Sequence, residues 1–124
     1  MTPHPLRAEP MLFVTDLPAA LTFWSRLGFA ERFRWGDPPT YAGIARGGAH
    51  LALRHVDRHP FTAAFRAETP QALSAVITLD DAEALAREFT AAGFPVTLRD
   101  EPWGAQTFIL ADPDGNLILV AGRG

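Results

Sequence analysis

The chain has 124 residues, 48% of them hydrophobic, enough for one domain with a core of its own and too few for two. Eleven basic against fourteen acidic residues leave a formal net charge of −3, without the positive footprint of a nucleic-acid binder, and the lack of cysteine excludes disulfides, thiolate metal sites and a Cys nucleophile. No apolar run approaches the roughly 18 residues of a membrane span, and the opening Met-Thr-Pro-His-Pro-Leu-Arg has no signal-peptide core, so the expected location is cytoplasmic with no membrane partner.

Residues 8 to 14 (Ala-Glu-Pro-Met-Leu-Phe-Val) read as a first strand, with Pro10, which has no N–H to donate, at an edge or a strand start. Asp16 follows as an N-cap, Pro18 lies in the first turn, and Leu17, Ala20, Leu21, Trp24 and Leu27 share one helical stripe. Gly28 stops that helix, and Phe29 packs back over its last turn. Three strands follow: Ala30 to Trp35, Thr40 to Arg46 after a Gly-Asp-Pro-Pro turn, and Ala49 to Val56 after Gly47-Gly48. The order is βαβββ, over about residues 8 to 56. Residues 57 to 71 carry two prolines and little strand pattern; they read as a linker, long enough to expect a task beyond connection. The order then repeats over about residues 72 to 121: a strand from Leu73 to Leu79, Asp81 capping a helix to Ala92, Gly93 as stop, and strands at Val96 to Arg99, Gln106 to Ala111 and Leu117 to Val120. Asp112-Pro-Asp-Gly115 is a turn signal, and no chemistry is assigned to it.

The two halves match residue by residue. One ungapped offset of 65 pairs Asp16 with Asp81, Ala19 with Ala84, Trp24 with Phe89, Gly28 with Gly93 and Phe29 with Phe94. The expected fold is therefore a single α+β domain over residues 1–124, two tandem βαβββ modules sharing one core, with a curved mixed sheet and a groove where the halves meet.

With that order established, the stretch Pro10-Met-Leu-Phe-Val-Thr-Asp-Leu-Pro-Ala-Ala-Leu-Thr-Phe-Trp-Ser-Arg-Leu-Gly-Phe29 resembles the opening of the vicinal oxygen chelate superfamily of glyoxalase I, extradiol dioxygenases and bleomycin resistance proteins. The stretch Pro102-Trp-Gly-Ala-Gln-Thr-Phe-Ile-Leu-Ala-Asp-Pro-Asp-Gly-Asn-Leu117 resembles its closing segment, and Pro-Trp-Gly followed by Asp-Pro-x-Gly-Asn is most similar to the bleomycin resistance branch. The resemblance implies a homodimer with grooves at the interface and, in that branch, an exchanged first strand. Metal-using members chelate one divalent ion through His, Glu or Gln on four strands. Carried over, those positions fall at Glu9, Ala52 (His50 or Arg54 only if the register slips), Ser74 and Leu119. One carboxylate with Ala, Ser and Leu cannot hold a divalent ion, so no metal and no cofactor is expected. His50 and His55, five apart on one strand, point to opposite faces; a set of Glu9, His55 and His59 is the remaining alternative.

What is left for the groove is aromatic surface. Phe33 and Trp35 alternate with Arg32 and Arg34 and share a face; Tyr41 opens the next strand; Phe61 and Phe65 lie in the linker; Trp103 sits in the Pro-Trp-Gly bend. The resemblance implies that Phe33, Tyr41 and Trp103 line a crevice that stacks on a planar, heteroaromatic ligand, an interaction that flat rings suit. Phe13, Phe23, Trp24, Phe29, Phe89 and Phe94 fit core positions. Phe33 and Trp35 divide between groove and core, Phe61 and Phe65 between a lid and satellite packing on a short helix, and Arg54 and His55 between orienting a ligand and ending a solvated strand. Glu9, Asp100 and Glu101 are the acidic groups available to a cationic ligand. The candidate ligand-binding set is Glu9, Phe33, Trp35, Tyr41, Arg54, His55, Phe61 and Trp103, with no catalytic residue. The expected function is metal-free binding and sequestration of an aromatic small molecule, cationic or neutral. The alternative is a metal-dependent lyase, isomerase or dioxygenase.

Overall fold

Two aspartates open the two helices in the same way in the computed structural model, which describes residues 2–123. Asp16 Oδ1 accepts from the Ala19 N–H at 3.0 Å and begins α1 (Leu17–Arg26); Asp81 Oδ1 accepts from Ala84 N–H at 2.9 Å and begins α3 (Ala82–Ala91). Each caps an N–H that the first turn leaves without a helical partner. The helices also end alike. Gly28 and Gly93 take φ of 84° and 96°, and the paired bonds Gly28 N–H to Ser25 O and Phe29 N–H to Trp24 O recur as Gly93 N–H to Thr90 O and Phe94 N–H to Phe89 O. Both are Schellman stops, which need a residue at positive φ that only glycine adopts without strain. Phe29 packs edge-on to Trp24 at 5.0 Å, while Phe94 reaches Phe23 of the other module at 5.1 Å.

The first module builds a four-stranded sheet from β1 (Met11–Val14), β2 (Ala30–Trp35), β3 (Tyr41–Arg46) and β4 (Ala49–His55), in the order β1-β4-β3-β2 with β1 parallel to β4. The second repeats the plan with β5 (Ala75–Leu79), β6 (Arg99–Asp100), β7 (Gln106–Ala111) and β8 (Leu117–Gly122), in the order β5-β8-β7-β6. One face of each sheet is sealed by the helices. Leu12, Val14, Ile44, Leu51, Leu53, Phe108, Leu110, Ile118 and Val120 join Leu17, Phe23, Trp24, Leu27, Phe89 and others in one buried cluster spanning both modules. Burying that much apolar surface is the main force holding the halves together.

Polar contacts close the seam. Arg26 donates to Ala92 O at 2.9 Å; Arg46 bridges Leu27 O and the Glu88 carboxylate, 2.9 and 2.5 Å away. At the opposite end the Asp-Pro-Asp-Gly turn is tied to β1: Asp114 accepts from the Thr15 hydroxyl at 2.6 Å, and the buried Asn116 donates to Phe13 O at 2.8 Å. Asn116 also donates to Asp112, whose carboxyl burial pushes above the ordinary carboxylate range, a shift that the Asn116 hydrogen bonds oppose. The turn therefore has a structural task that its sequence does not announce.

Several boundaries differ from expectation, most by a residue or two. The first strand begins at Met11, because the extended segment before it meets the ladder only through Pro10 O, which accepts from Ala52 N–H; the fifth begins at Ala75. The strand expected at Val96 to Arg99 shrinks to Arg99–Asp100. Pro95 has no N–H to pair, and Val96 and Leu98 turn inward, half-buried against the core. The linker contains α2 (Ala63–Glu68), capped by Thr62, whose hydroxyl accepts from Phe65 N–H.

Candidate functional site

Strand register decides what faces outward on the first sheet. Met11 pairs with Ala52 and Phe13 with Arg54; Tyr41 lies opposite Arg54 and Gly43 opposite Ala52; Trp35 lies opposite Tyr41 and Phe33 opposite Gly43. Directly paired residues share a face, and Leu12, Val14, Ala42, Leu51 and Leu53 occupy the core side. The open side therefore carries a row Trp35–Tyr41–Arg54–Phe13, with Phe33, Gly43, Ala52 and Met11 in the row beside it. Phe33 and Tyr41 meet at 5.3 Å, and the Phe33 ring lies over the bare Cα of Gly43, where any Cβ would overlap it. A register shift between Glu31 and Phe33 marks the bulge that sets these rings. The row runs on past the sheet. Phe13 stands edge-on to His59 at 6.3 Å, His59 lies 5.5 Å from Phe61, and Phe61 4.9 Å from Phe65.

His59 fixes that extension. Its Nδ1 accepts from Phe61 N–H at 3.0 Å, so the neutral ring carries its proton on Nε2 and donates it to Asn116 Oδ1, 2.8 Å away. The linker is thereby anchored to the Asp-Pro-Asp-Gly-Asn turn and, through Asn116, to β1.

The eight expected site residues do not all meet. Phe33, Trp35, Tyr41, Arg54 and Phe61 lie along the ring-bearing face, with Phe33 and Trp35 46% and 68% exposed and so outside the core. Phe13, expected in the core, is half-buried on the open face, because its register on β4 and the alternation of the strand turn Leu12 and Val14 inward instead. His55 is the reverse case. It pairs with Val14 at the strand end, points away from Arg54, and sits 3.4 Å from Asp57. Glu9 lies 3.5 Å from His50, which shares the open side with Ala52 and Arg54, and 3.4 Å from Arg7. Trp103, 71% exposed, belongs to the β6–β7 connection of the other module and touches none of these rings within the chain. Nearby, Glu101 accepts from the Thr107 hydroxyl at 2.7 Å and Asp100 from Gln106 at 3.1 Å. Sequence reasoning did not place Phe13, Gly43 or His59 on this face; the registers of β1 on β4 and of β2 on β3, visible only in three dimensions, are the signals that find the first two.

The expected groove between the modules also differs. A cleft of about 560 Å³ does lie there, lined by Trp24, Phe29, Ile77, Leu85, Phe89 and Leu110 among others, but by none of the eight expected residues. The rings lie on the open sheet face instead.

The donor positions do not fit a divalent ion. Glu9 stands level with His50, while Ala52 and Leu119 offer only hydrocarbon, and Ser74 gives its N–H to Leu117 O. Two donors fall short of the three or four protein ligands of a catalytic or structural zinc site. No group of three or more His, Asp or Glu side chains converges among the described residues, and the alternative set of Glu9, His55 and His59 is dispersed over three separate partners.

The family model of the Glyoxalase/Bleomycin resistance protein/Dioxygenase superfamily matches residues 6–120. Among solved structures, a bleomycin-binding protein in complex with bleomycin is 23% identical, with a TM-score of 0.76 over 95% of this chain and 98% of that one. The bleomycin-binding protein of the bleomycin producer Streptomyces verticillus, complexed with copper(II)-bleomycin, is 27% identical, with a TM-score of 0.74 over 99% and 100%. The lactoylglutathione lyase of Agrobacterium tumefaciens is 20% identical, with a TM-score of 0.70 over 98% and 96%. No curated protein matches by sequence.

Proposed function

Because the chain belongs to the Glyoxalase/Bleomycin resistance protein/Dioxygenase superfamily, we propose that it binds and sequesters a planar, aromatic small molecule of the bleomycin type, without a metal and without turnover. The observation that carries this reading is the uncovered row Trp35–Tyr41–Arg54–Phe13 with Phe33 beside it, which presents flat ring surface to solvent on an otherwise well-packed sheet. Exposed aromatic surface of this kind is characteristic of ligand grooves. The metal-dependent lyase, isomerase or dioxygenase reading has only the Glu9–His50 pair to draw on in this chain.

A homodimer completes the proposed site. On the open side of the second sheet, Val76, Leu119 and Ile109 form an aliphatic row in register, with Val76 60% and Ile109 42% exposed. A second copy whose Trp103 and aliphatic row face the ring-bearing sheet would enclose the ligand from both sides. No helix of the described residues is long and apolar enough to cross a membrane; capture is proposed to occur in the cytoplasm.

The test follows tryptophan fluorescence and Tm while planar aromatic compounds, bleomycin among them, are titrated in. Trp24 is buried, so quenching reports Trp35 and Trp103. Trp103→Ala and Trp35→Ala should each weaken binding about tenfold, the loss of one stacking platform of about 1.4 kcal/mol. Fluorescence and Tm unmoved across the panel would overturn the reading, and a stoichiometric divalent metal in protein purified without chelator would favour the enzyme.

A further inference from the structure

The ring-bearing face holds a charge that no other group answers among the described residues. All eleven basic residues are arginines, and eight of them engage a carboxylate or a backbone carbonyl. Arg54 is not one of these: among the described residues it makes no hydrogen bond, no ion pair and no contact over a ring, and it is exposed. Its place in the register sets it apart from a stray surface arginine, since it is flanked directly by Phe13 on β1 and Tyr41 on β3. The Tyr41 hydroxyl likewise has no hydrogen-bond partner among the described residues. Two unanswered donors thus stand side by side in the middle of a row of rings.

Three acidic side chains of this module are engaged elsewhere. Glu9 is shared by Arg7 and His50, Glu31 is held by Arg34 at 2.7 Å and pairs with Ile44 on the core side, and Asp57 lies against His55. A cationic ligand stacked on the rings would meet an uncompensated guanidinium a few ångströms away. An anion would meet a planar fork of N–H donors whose geometry matches a carboxylate in two parallel bonds.

We propose that the ligand of this face is a planar aromatic carboxylate, with its ring system on Phe13, Tyr41, Phe33 and Trp35 and its carboxylate on the Arg54 guanidinium, the Tyr41 hydroxyl donating beside it. This rests on the reading of the face as a small-molecule site and replaces the cationic ligand with an anionic one.

Three probes with one ring system and three charges separate the two ideas: 2-naphthoate, 2-naphthamide and 2-naphthylmethylammonium, titrated against the full chain by tryptophan fluorescence and calorimetry. The carboxylate should bind at least tenfold tighter than the amide, and the ammonium least well. Raising salt should weaken the carboxylate and leave the amide nearly unmoved. In Arg54→Gln the carboxylate-to-amide ratio should fall to near one, and Arg54→Lys, which keeps the charge but not the fork, should recover it in part. Unchanged Tm in both variants shows that the fold persists, as expected for an exposed side chain. Equal binding of all three probes, or a carboxylate preference that survives Arg54→Gln, would overturn the anion assignment and leave the binding face standing. No binding by any of the three would remove both.

Discussion

Gly43 shapes the ring-bearing face by having no side chain. The Phe33 ring occupies the space a Cβ would take, so Gly43→Ala forces Phe33 off the sheet and away from Tyr41. Phe33 is nearly half exposed and can swing into solvent, so the stability cost should be about 1 kcal/mol, or about 4 °C in Tm for a chain of this size. Ligand affinity should fall more, by about tenfold, since one stacking surface is lost; calorimetry on a planar aromatic probe, alongside a melting curve, separates the two effects. Full affinity with a displaced ring would mean that Phe33 plays no part. A glycine inside a strand pattern hints at close approach, but which ring approaches depends on cross-strand register, and nothing in the sequence reports that. Phe13, which fits a core position by sequence, faces outward for the same reason. One residue of difference in where β1 meets β4 decides which member of each adjacent pair faces the rings.

The helices were legible because their signals are local. Asp16 and Asp81 as caps and Gly28 and Gly93 as stops each involve residues within one or two turns, and the structure repeats them bond for bond across the 65-residue offset. What joins the elements was not legible, since Arg46 on β3 and Glu88 on α3 are distant in sequence and meet only when the modules pack. That pair sets an acid-side dependence. The Arg46 hydrogen bond holds the Glu88 carboxyl below its ordinary value of 4.5, so its contribution is present above that value and is lost as pH falls through the lowered one. Glu88→Gln should therefore lower Tm at pH 7 by an amount within the roughly 1 kcal/mol of exposed ion pairs, and the gap to the parent should close as pH drops below 4.5. Melting curves of both proteins across that range check it; a gap independent of pH would mean that the pair contributes through packing alone. Asp112 carries the opposite sign. Burial raises its carboxyl, so its charged form costs stability above the raised value, and the cost is relieved on acidification.

At the scale of the whole molecule the duplication predicts two halves with a groove between them, but not which faces meet or which side of each sheet carries the rings. In the chain the helix-covered sides share the core, which leaves the open side of each sheet uncovered: rings on one, the Val76–Leu119–Ile109 row on the other. A standard protein interface removes about 800 Å² per partner, roughly a tenth of this chain's 7925 Å². The aliphatic row and Trp103 are too few to supply that area, so they form the centre of the proposed dimer interface and the polar rim must close around them. A charge at the centre should then dissociate the pair. Val76→Glu changes a side chain already 60% exposed, so the single chain should fold unperturbed. Sedimentation should show the parent at twice 13.5 kDa and the variant at 13.5 kDa. Because in the proposed dimer Trp103 reaches the rings from the second copy, the variant should also lose ligand affinity about as much as Trp103→Ala does, and the double substitution should lose little more. A parent that sediments as a monomer at tens of micromolar, or a monomeric variant that binds as tightly as the parent, would place the whole site on one sheet of one chain.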